Sequence, residues 1–251
     1  NKAVTGNIGI AYMPNTDLRL SANVSSGFRS PNFDDMTKVF ESVSGQRLIV
    51  PNADLKPEYS QNIDAGIRYN DGVIDIDAYG FYTVFNNAIV TDVFTYNGQD
   101  SALYDGKMSK VYASQNKAKA FIYGGGISAT YRPMLHFSMF ASVNYTYGRY
   151  NNDTILVPLD HIPPVVGKLG IKYDNNVWYT ELYSLYNGKK RLIDYNPSGE
   201  DNLQTATPYG TPSWYTVNFR AGVTFAKYVQ VQAGVENILD KNYRYFASGM
   251  S

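Results

Sequence analysis

Apolar and polar residues alternate one by one along this chain, over stretches too long for an ordinary globular strand. Residues 18–25 read LRLSANVS and alternate without a break. In residues 215–225, Tyr215, Val217, Phe219, Ala221, Val223 and Phe225 share one face, opposite Thr216, Asn218, Arg220, Gly222 and Thr224. Residues 63–69, 137–147 and 229–236 behave the same way. A period of two sends successive side chains to opposite faces of a strand. A helical period is nowhere sustained beyond two turns, so no helix is expected.

The pattern predicts ten strands, at roughly 3–12, 18–27, 58–70, 73–90, 112–131, 135–150, 164–174, 177–192, 212–226 and 228–238. Most are longer than the roughly 5–6 residues usual in globular sheets. A strand crossing a bilayer needs about 9–11. The gaps between them alternate in length. MPNTD at 13–17, NDG at 70–72, RPM at 132–134, DNN at 174–176 and AKY at 226–228 are tight. The gaps 28–57, 91–111, 151–163 and 193–211 are long. Short turns at one end and long loops at the other describe an outer-membrane β-barrel.

Composition agrees. The chain holds 23 Tyr and 12 Phe, yet its mean hydropathy is −0.32 and no run of eighteen apolar residues exists to make a transmembrane helix. Barrel strands show lipid only half their residues, which reconciles the two facts. Lys plus Arg and Asp plus Glu both number 22, so the basic surplus of a nucleic-acid binder is missing. No cysteine is present, which removes disulfides and thiolate metal sites. Aromatics end the apolar stripes at Tyr12, Tyr69, Tyr131, Tyr145, Tyr147, Tyr173 and Phe225, as a lipid-interface girdle would.

Two stretches flank the first long gap: GFRSPNF at 27–33 and PNADLKP at 51–57, the second running on into EYSQNIDAGIRY. Together with IDIDAYGFYTVFNNAIV at 74–90 and VENILDKNYRYF at 235–246, they closely resemble the TonB-dependent receptors, over essentially the whole chain. The resemblance implies a 22-stranded outer-membrane barrel filled by an N-terminal plug. It implies energised uptake of a scarce, bulky ligand, with TonB acting on that plug. Ten strands are then about half a barrel. The expectation is an all-β, antiparallel up-and-down transmembrane segment, residues 1–251, with the plug domain and the closing strand absent from this chain. Its setting would be the outer membrane of a Gram-negative bacterium, its neighbours outer-membrane lipid and lipopolysaccharide. It would be no enzyme and would carry no cofactor; its ligand would be an iron chelate, most of all a ferric siderophore, or cobalamin.

Candidate ligand contacts lie in the long gaps: Arg29, Phe40, Arg47, Phe94, Tyr96, Tyr104, Arg191 and Tyr195, with Lys189, Lys190 and Tyr209 beside them. Aromatic and cationic groups suit an anionic, aromatic ferric catecholate. Arg29 is expected to anchor the loop to Asp34 or Asp35 rather than to face the ligand. Pro31, Pro51 and Pro57 stiffen its exit and re-entry. Haem receptors of the family place a histidine between the two motif halves, and residues 32–51 hold none. His136 and His161 are expected to be ordinary polar residues. The pairs Asp34-Asp35 and Asp75/Asp77 offer too few oxygens for calcium. Three other readings stay open: a passive porin, a ten-stranded outer-membrane protease using His161 with Asp160 and Asp34-Asp35, and a soluble β-sandwich.

Overall fold

The computed structural model describes the chain except residues 1, 2, 38, 42–46, 153–154, 198–200, 204–205, 226–227 and 249–251, and describes no side chain for residues 34, 35, 41 and 118. Ten wall strands form one antiparallel sheet in chain order. They are β1 (Gly6–Tyr12), β2 (Leu18–Arg29), β5 (Glu58–Asn70), β6 (Ile74–Val93), β8 (Lys107–Met134), β9 (Phe137–Asn152), β11 (Val166–Asp174), β12 (Trp178–Asn187), β13 (Trp214–Phe225) and β14 (Val229–Val235). Four short strands lie off this path: β3 (Phe40–Glu41), β4 (Arg47–Ile49), β7 (Ser101–Tyr104) and β10 (Ile155–Pro158). Helical turns among the described residues include α1 (Phe33–Thr37), where no helix is expected, and a 3₁₀ turn at Leu192–Asp194. Among the described residues β1 and β14 each pair on one side only. The sheet is therefore open, with two raw edges, and is not a closed ten-stranded barrel.

The ladder keeps one face apolar from strand to strand. Leu18 lies opposite Tyr69, Tyr69 opposite Ile76, and Ile74 opposite Tyr131. Tyr131 then meets Met139, and Phe137 meets Tyr173. This outward row is the aromatic belt at the short-turn end. A second belt stands near the long-loop end, where Phe121, Tyr123 and Tyr147 pack with ring centroids 5.1–6.3 Å apart. Between the belts lie residues such as Ile8, Val24, Ile63 and Val143, all solvent-exposed in the isolated chain. A wall whose large apolar residues point outward has no protein to cover them; a bilayer does so.

The inward face is polar and cross-linked. Asn23 and Asn62 both donate to the Asp64 carboxylate, at 3.1 and 2.8 Å. Glu181, 4% exposed, accepts from Lys168 at 3.3 Å and from two Arg220 nitrogens at 3.0 and 2.8 Å. A carboxylate this buried is tolerable because cations satisfy both of its oxygens. Asp75 sits 3.9 Å from Arg68 and accepts from Asn70 at 3.2 Å, which ties it into the wall.

Three of the short turns use the same chemistry. The side-chain oxygens of Asn15, Asp71 and Asn175 accept the backbone N–H groups two and three residues ahead. Such Asx turns reverse the chain without help from a core. The 132–134 turn falls elsewhere: β8 continues through Met134, past an irregularity after Tyr131, and the reversal occurs at Leu135-His136. His136 takes φ 68° there, and its Nδ1 bonds the Asp174 carbonyl at 2.8 Å. The 226–228 turn lies largely outside the described residues.

Candidate functional site: the long-loop rim

The described residues of the long gaps fold into two packed modules. The first is built on the upper part of β8, a strand of 28 residues. Residues 107–119 stand above the upper belt, on the order of 40 Å of chain at about 3.3 Å per residue. The gap predicted at 91–111 is mostly strand: β6 runs on to Val93, β7 forms a hairpin with β8, and β4 pairs parallel to β8. Leu48, Val50, Val111 and Ala113 are buried together, with Phe94 and Ala102 against them.

The two family motifs meet in this module. Across the β2–β5 ladder Gly27 faces Ser60, Phe28 faces Tyr59 and Arg29 faces Glu58. Phe28 and Tyr59 stack at 6.4 Å, and the Arg29 guanidinium lies 3.7 Å from Glu58. Arg29 thus anchors the loop through Glu58, the residue that follows PNADLKP; the Asp34 and Asp35 side chains, its expected partners, lie outside the described ones. Glu58 also accepts the Ile89 N–H at 2.7 Å. PNADLKP itself is sewn to β8 and β6. Asn52 donates to the Ser114 carbonyl, Lys56 N–H donates to Asn116, and Asn116 donates to the carbonyls of Lys56 and Asn87.

The second module joins the loops after β9 and β12. Ala88, Ala120, Tyr150, Val157, Leu159 and Ile162 form a buried cluster, packed by Phe85, Val90 and Ile122. Gly148 has no room for a side chain: a Cβ there would meet Ile162 at 2.9 Å, Leu159 at 3.1 Å and Ile122 at 3.2 Å. The Asp201 carboxylate ties two loops, taking the N–H of His161 at 2.7 Å and of Asn196 at 2.9 Å. Asn196 reaches on to the Pro158 carbonyl. Lys190 donates to the Ile162 carbonyl and lies 4.6 Å from the Phe246 ring; burial pushes its pKa down.

The predicted contacts divide between these modules. Phe40, Arg47, Phe94, Tyr96 and Tyr104 belong to the first. Tyr96 and Tyr104 are exposed at its tip, Phe40 pairs with Ile49, and Arg47 lies over the Tyr112 ring at 5.3 Å. Phe94 is committed to the module's core. Tyr195 and Arg191 belong to the second. Tyr195 is 5% exposed, its hydroxyl bonded to Thr211 and its ring against Phe246. Arg191 is bound to Asp194 at 2.8 Å. Tyr209 is exposed. His161 holds its ring exposed, 3.6 Å from Asp160, on a backbone with φ 57°.

Sequence reasoning missed Asn116, Asp201 and the phase change at Asn87. Asn87 takes φ 55°, and Phe85 below it and Ala88 above it join the same cluster. In unbroken alternation those two would face opposite ways. An Asn flanked by a second Asn in a strand was the available signal, since Asn tolerates the left-handed region.

A family model described as "TonB dependent receptor-like, beta-barrel" matches residues 1–238. Transferrin-binding protein A of Neisseria meningitidis serogroup B is 25% identical, over 98% of this chain and 28% of that protein. Hemoglobin and hemoglobin-haptoglobin-binding protein A of Haemophilus influenzae is 25% identical, over 97% of this chain and 23% of that protein. This chain thus spans about a quarter of the length of these relatives. Among solved structures, the copper transporter OprC superposes with a TM-score of 0.77 at 20% identity, over 97% of this chain and 34% of that one. The ferric enterobactin receptor PfeA does so with a TM-score of 0.72 at 16% identity, over 98% and 37%.

Proposed function

Because this chain belongs to the TonB-dependent receptors, we propose that it supplies part of the wall and rim of an energised uptake receptor in a Gram-negative outer membrane. The wall would belong to a larger barrel whose remaining strands complete its two raw edges. The polar inward face, with its Asn23–Asp64–Asn62 and Lys168–Glu181–Arg220 lattices, would line the space that a plug fills. TonB would act through that plug. The outward apolar face would meet lipid and lipopolysaccharide.

The ligand we favour is a ferric chelate of the siderophore class. Solved relatives include a ferric enterobactin receptor and an iron transporter. The supporting observation in this chain is the first module: exposed Tyr96, Tyr104 and Phe40, with the Arg47 guanidinium held over an aromatic ring. Stacking and cation attraction would hold an anionic aromatic ligand there. Phe94 and Tyr195 would act by shaping the rim, and Arg29 by holding the loop root. Cobalamin remains a candidate ligand on the same rim. A second reading, a protein ligand from which iron is taken, draws on the exposed apolar tip of the β7–β8 hairpin, Leu103 and Met108. It also draws on the relatives named for transferrin and hemoglobin.

The test uses the full-length receptor. Ferric catecholate, cobalamin, haem and iron-loaded transferrin are titrated in turn, and uptake is followed in cells with and without TonB. The chelate is expected to bind and enter only with TonB. Replacing Arg47, Tyr96 and Tyr104 by Ala together should weaken binding at least ~10-fold, as loss of hot-spot aromatics and Arg does. Tight binding of the protein ligand alone, lost on removing residues 98–106, would replace the chelate by the second reading.

A further inference from the structure

One basic cluster of the rim is turned away from the lumen. Alternation along β9 puts Tyr145, Tyr147 and Arg149 on the face of Met139, Ala141 and Val143, which is the outward, apolar face. β11 covers the edge of β9 only up to Asn144, where Val166 pairs with it. Above that point a notch of about 180 Å³ opens, lined by Tyr145, Tyr147, Arg149, Lys189 and Arg191 among others. The Arg149 guanidinium is stacked 4.2 Å over the Tyr147 ring and bonded to Asp194 at 2.6 Å. Arg191 holds the other oxygen of the same carboxylate. Lys189 is exposed. Arg149, Lys189, Lys190 and Arg191 thus line the notch with the single carboxylate of Asp194, and the notch keeps a positive surplus. Beside it, Leu192 and Ile193 are exposed and apolar, on the 3₁₀ turn that carries Asp194.

The vertical order is apolar band, aromatic belt, then cations with one exposed apolar step. A ligand bound for the lumen has no use for that order on the outside of the wall. It matches an amphiphile standing in the outer leaflet, with acyl chains on the band and an anionic headgroup at the belt. Arginine presents its donors in a fork that suits phosphate, and Asp194 with Tyr147 pre-orients two of them. We propose that this notch binds a phosphate group of an outer-leaflet phosphoglycolipid. The assignment rests on the reading that the outward face meets lipid.

The experiment takes the full-length receptor, extracted in mild detergent from membranes containing phosphorylated lipopolysaccharide. Native mass spectrometry counts the glycolipid retained. Lys189→Glu together with Arg191→Glu should cut retention at least ~10-fold, and Lys189→Arg with Arg191→Lys should keep most of it. Lys110→Glu, at the far end of β8, should leave it unchanged. If the double variant does not fold, Lys189→Glu alone, which spares the Arg191–Asp194 pair, should still cut retention several-fold. Re-addition of diphosphorylated lipid A should restore the complex, and dephosphorylated lipid A should not. Equal retention by wild type and variants overturns the proposal. So does displacement of the glycolipid by millimolar inorganic phosphate alone, which would mark a generic anion site. A receptor that retains the glycolipid but takes up no ligand would sink the uptake reading and leave this one standing.

Discussion

The lower and upper halves of this one sheet are stabilised in opposite ways. Between the belts, every residue of β1 and β14 is exposed, and the large apolar side chains point outward. Nothing in the chain covers them; backbone ladder bonds and the surroundings hold that half. Above the upper belt the same strands carry two buried clusters, centred on Val111 and on Tyr150, both at most 1% exposed. The rim is thus a small protein with its own core, standing on a wall without one. The difference teaches where a substitution will be felt. Core deletions should disturb the rim and spare the wall, while added charge should do the reverse.

Tyr150→Ala should have the largest effect. It empties the centre of the second module at a cost of about 3–5 kcal/mol. Hydrogen exchange should show residues 155–165 and 188–211 losing protection, with β1 to β5 unaffected. Equal loss in both halves would break the comparison. Val24→Arg puts a charge on the outward face of β2, opposite Ile8 and Ile63. It should cost about 2–4 kcal/mol near the bilayer midplane. Ser25→Arg, on the inward face one residue on, should cost far less. Denaturant unfolding in vesicles measures both, and similar values for the pair would refute the assignment of faces.

Asn116→Ala removes two bonds to Lys56 of the PNADLKP segment and one to Asn87, at about 1–3 kcal/mol if the groups stay unpaired. The expected readout is faster proteolysis between residues 51 and 57 with the barrel intact. The smallest effect is a pH dependence at the 191–194 turn. Burial alone would raise the Asp194 pKa, but the bonds from Arg191 and Arg149 hold it below the usual carboxylate range. A folded pKa lowered in this way stabilises the turn above the ordinary carboxylate pKa, about 3.9. That support is lost as pH falls through the folded value. Acidification from pH 6 to pH 3 should therefore loosen this turn first, and Asp194→Asn should abolish the dependence.

The architecture could be read in advance because it is written locally. Each strand declares its faces through nearest-neighbour alternation, and the Asx turns at Asn15, Asp71 and Asn175 need no partner outside the hairpin. The motif pair at 27–33 and 51–57 was also legible, although its physical meaning was not. That the two halves lie directly across one ladder, Phe28 on Tyr59 and Arg29 beside Glu58, depends on register. The candidate site was legible as a composition of aromatic and basic residues in the long gaps. Which of them face outward, which are buried and which meet was not.

The sequence by itself determined the ten wall strands, their antiparallel order, the apolar side and the end that carries long loops. These follow from a two-residue period and from turn chemistry, both properties of adjacent residues. Tertiary structure alone decided the rest. It folded the 91–111 gap into strand, laid β4 parallel to β8, and joined Asn116 to Lys56 across sixty positions. At Asn87 a single positive φ shifted the phase, so that Ala88 turned into the cluster its alternation would have denied it. It also swung Arg191 to the outward side of the wall, against Arg149 and the Tyr145–Tyr147 belt. Contacts between distant residues depend on how the chain bends, and a two-residue period holds no record of that bend.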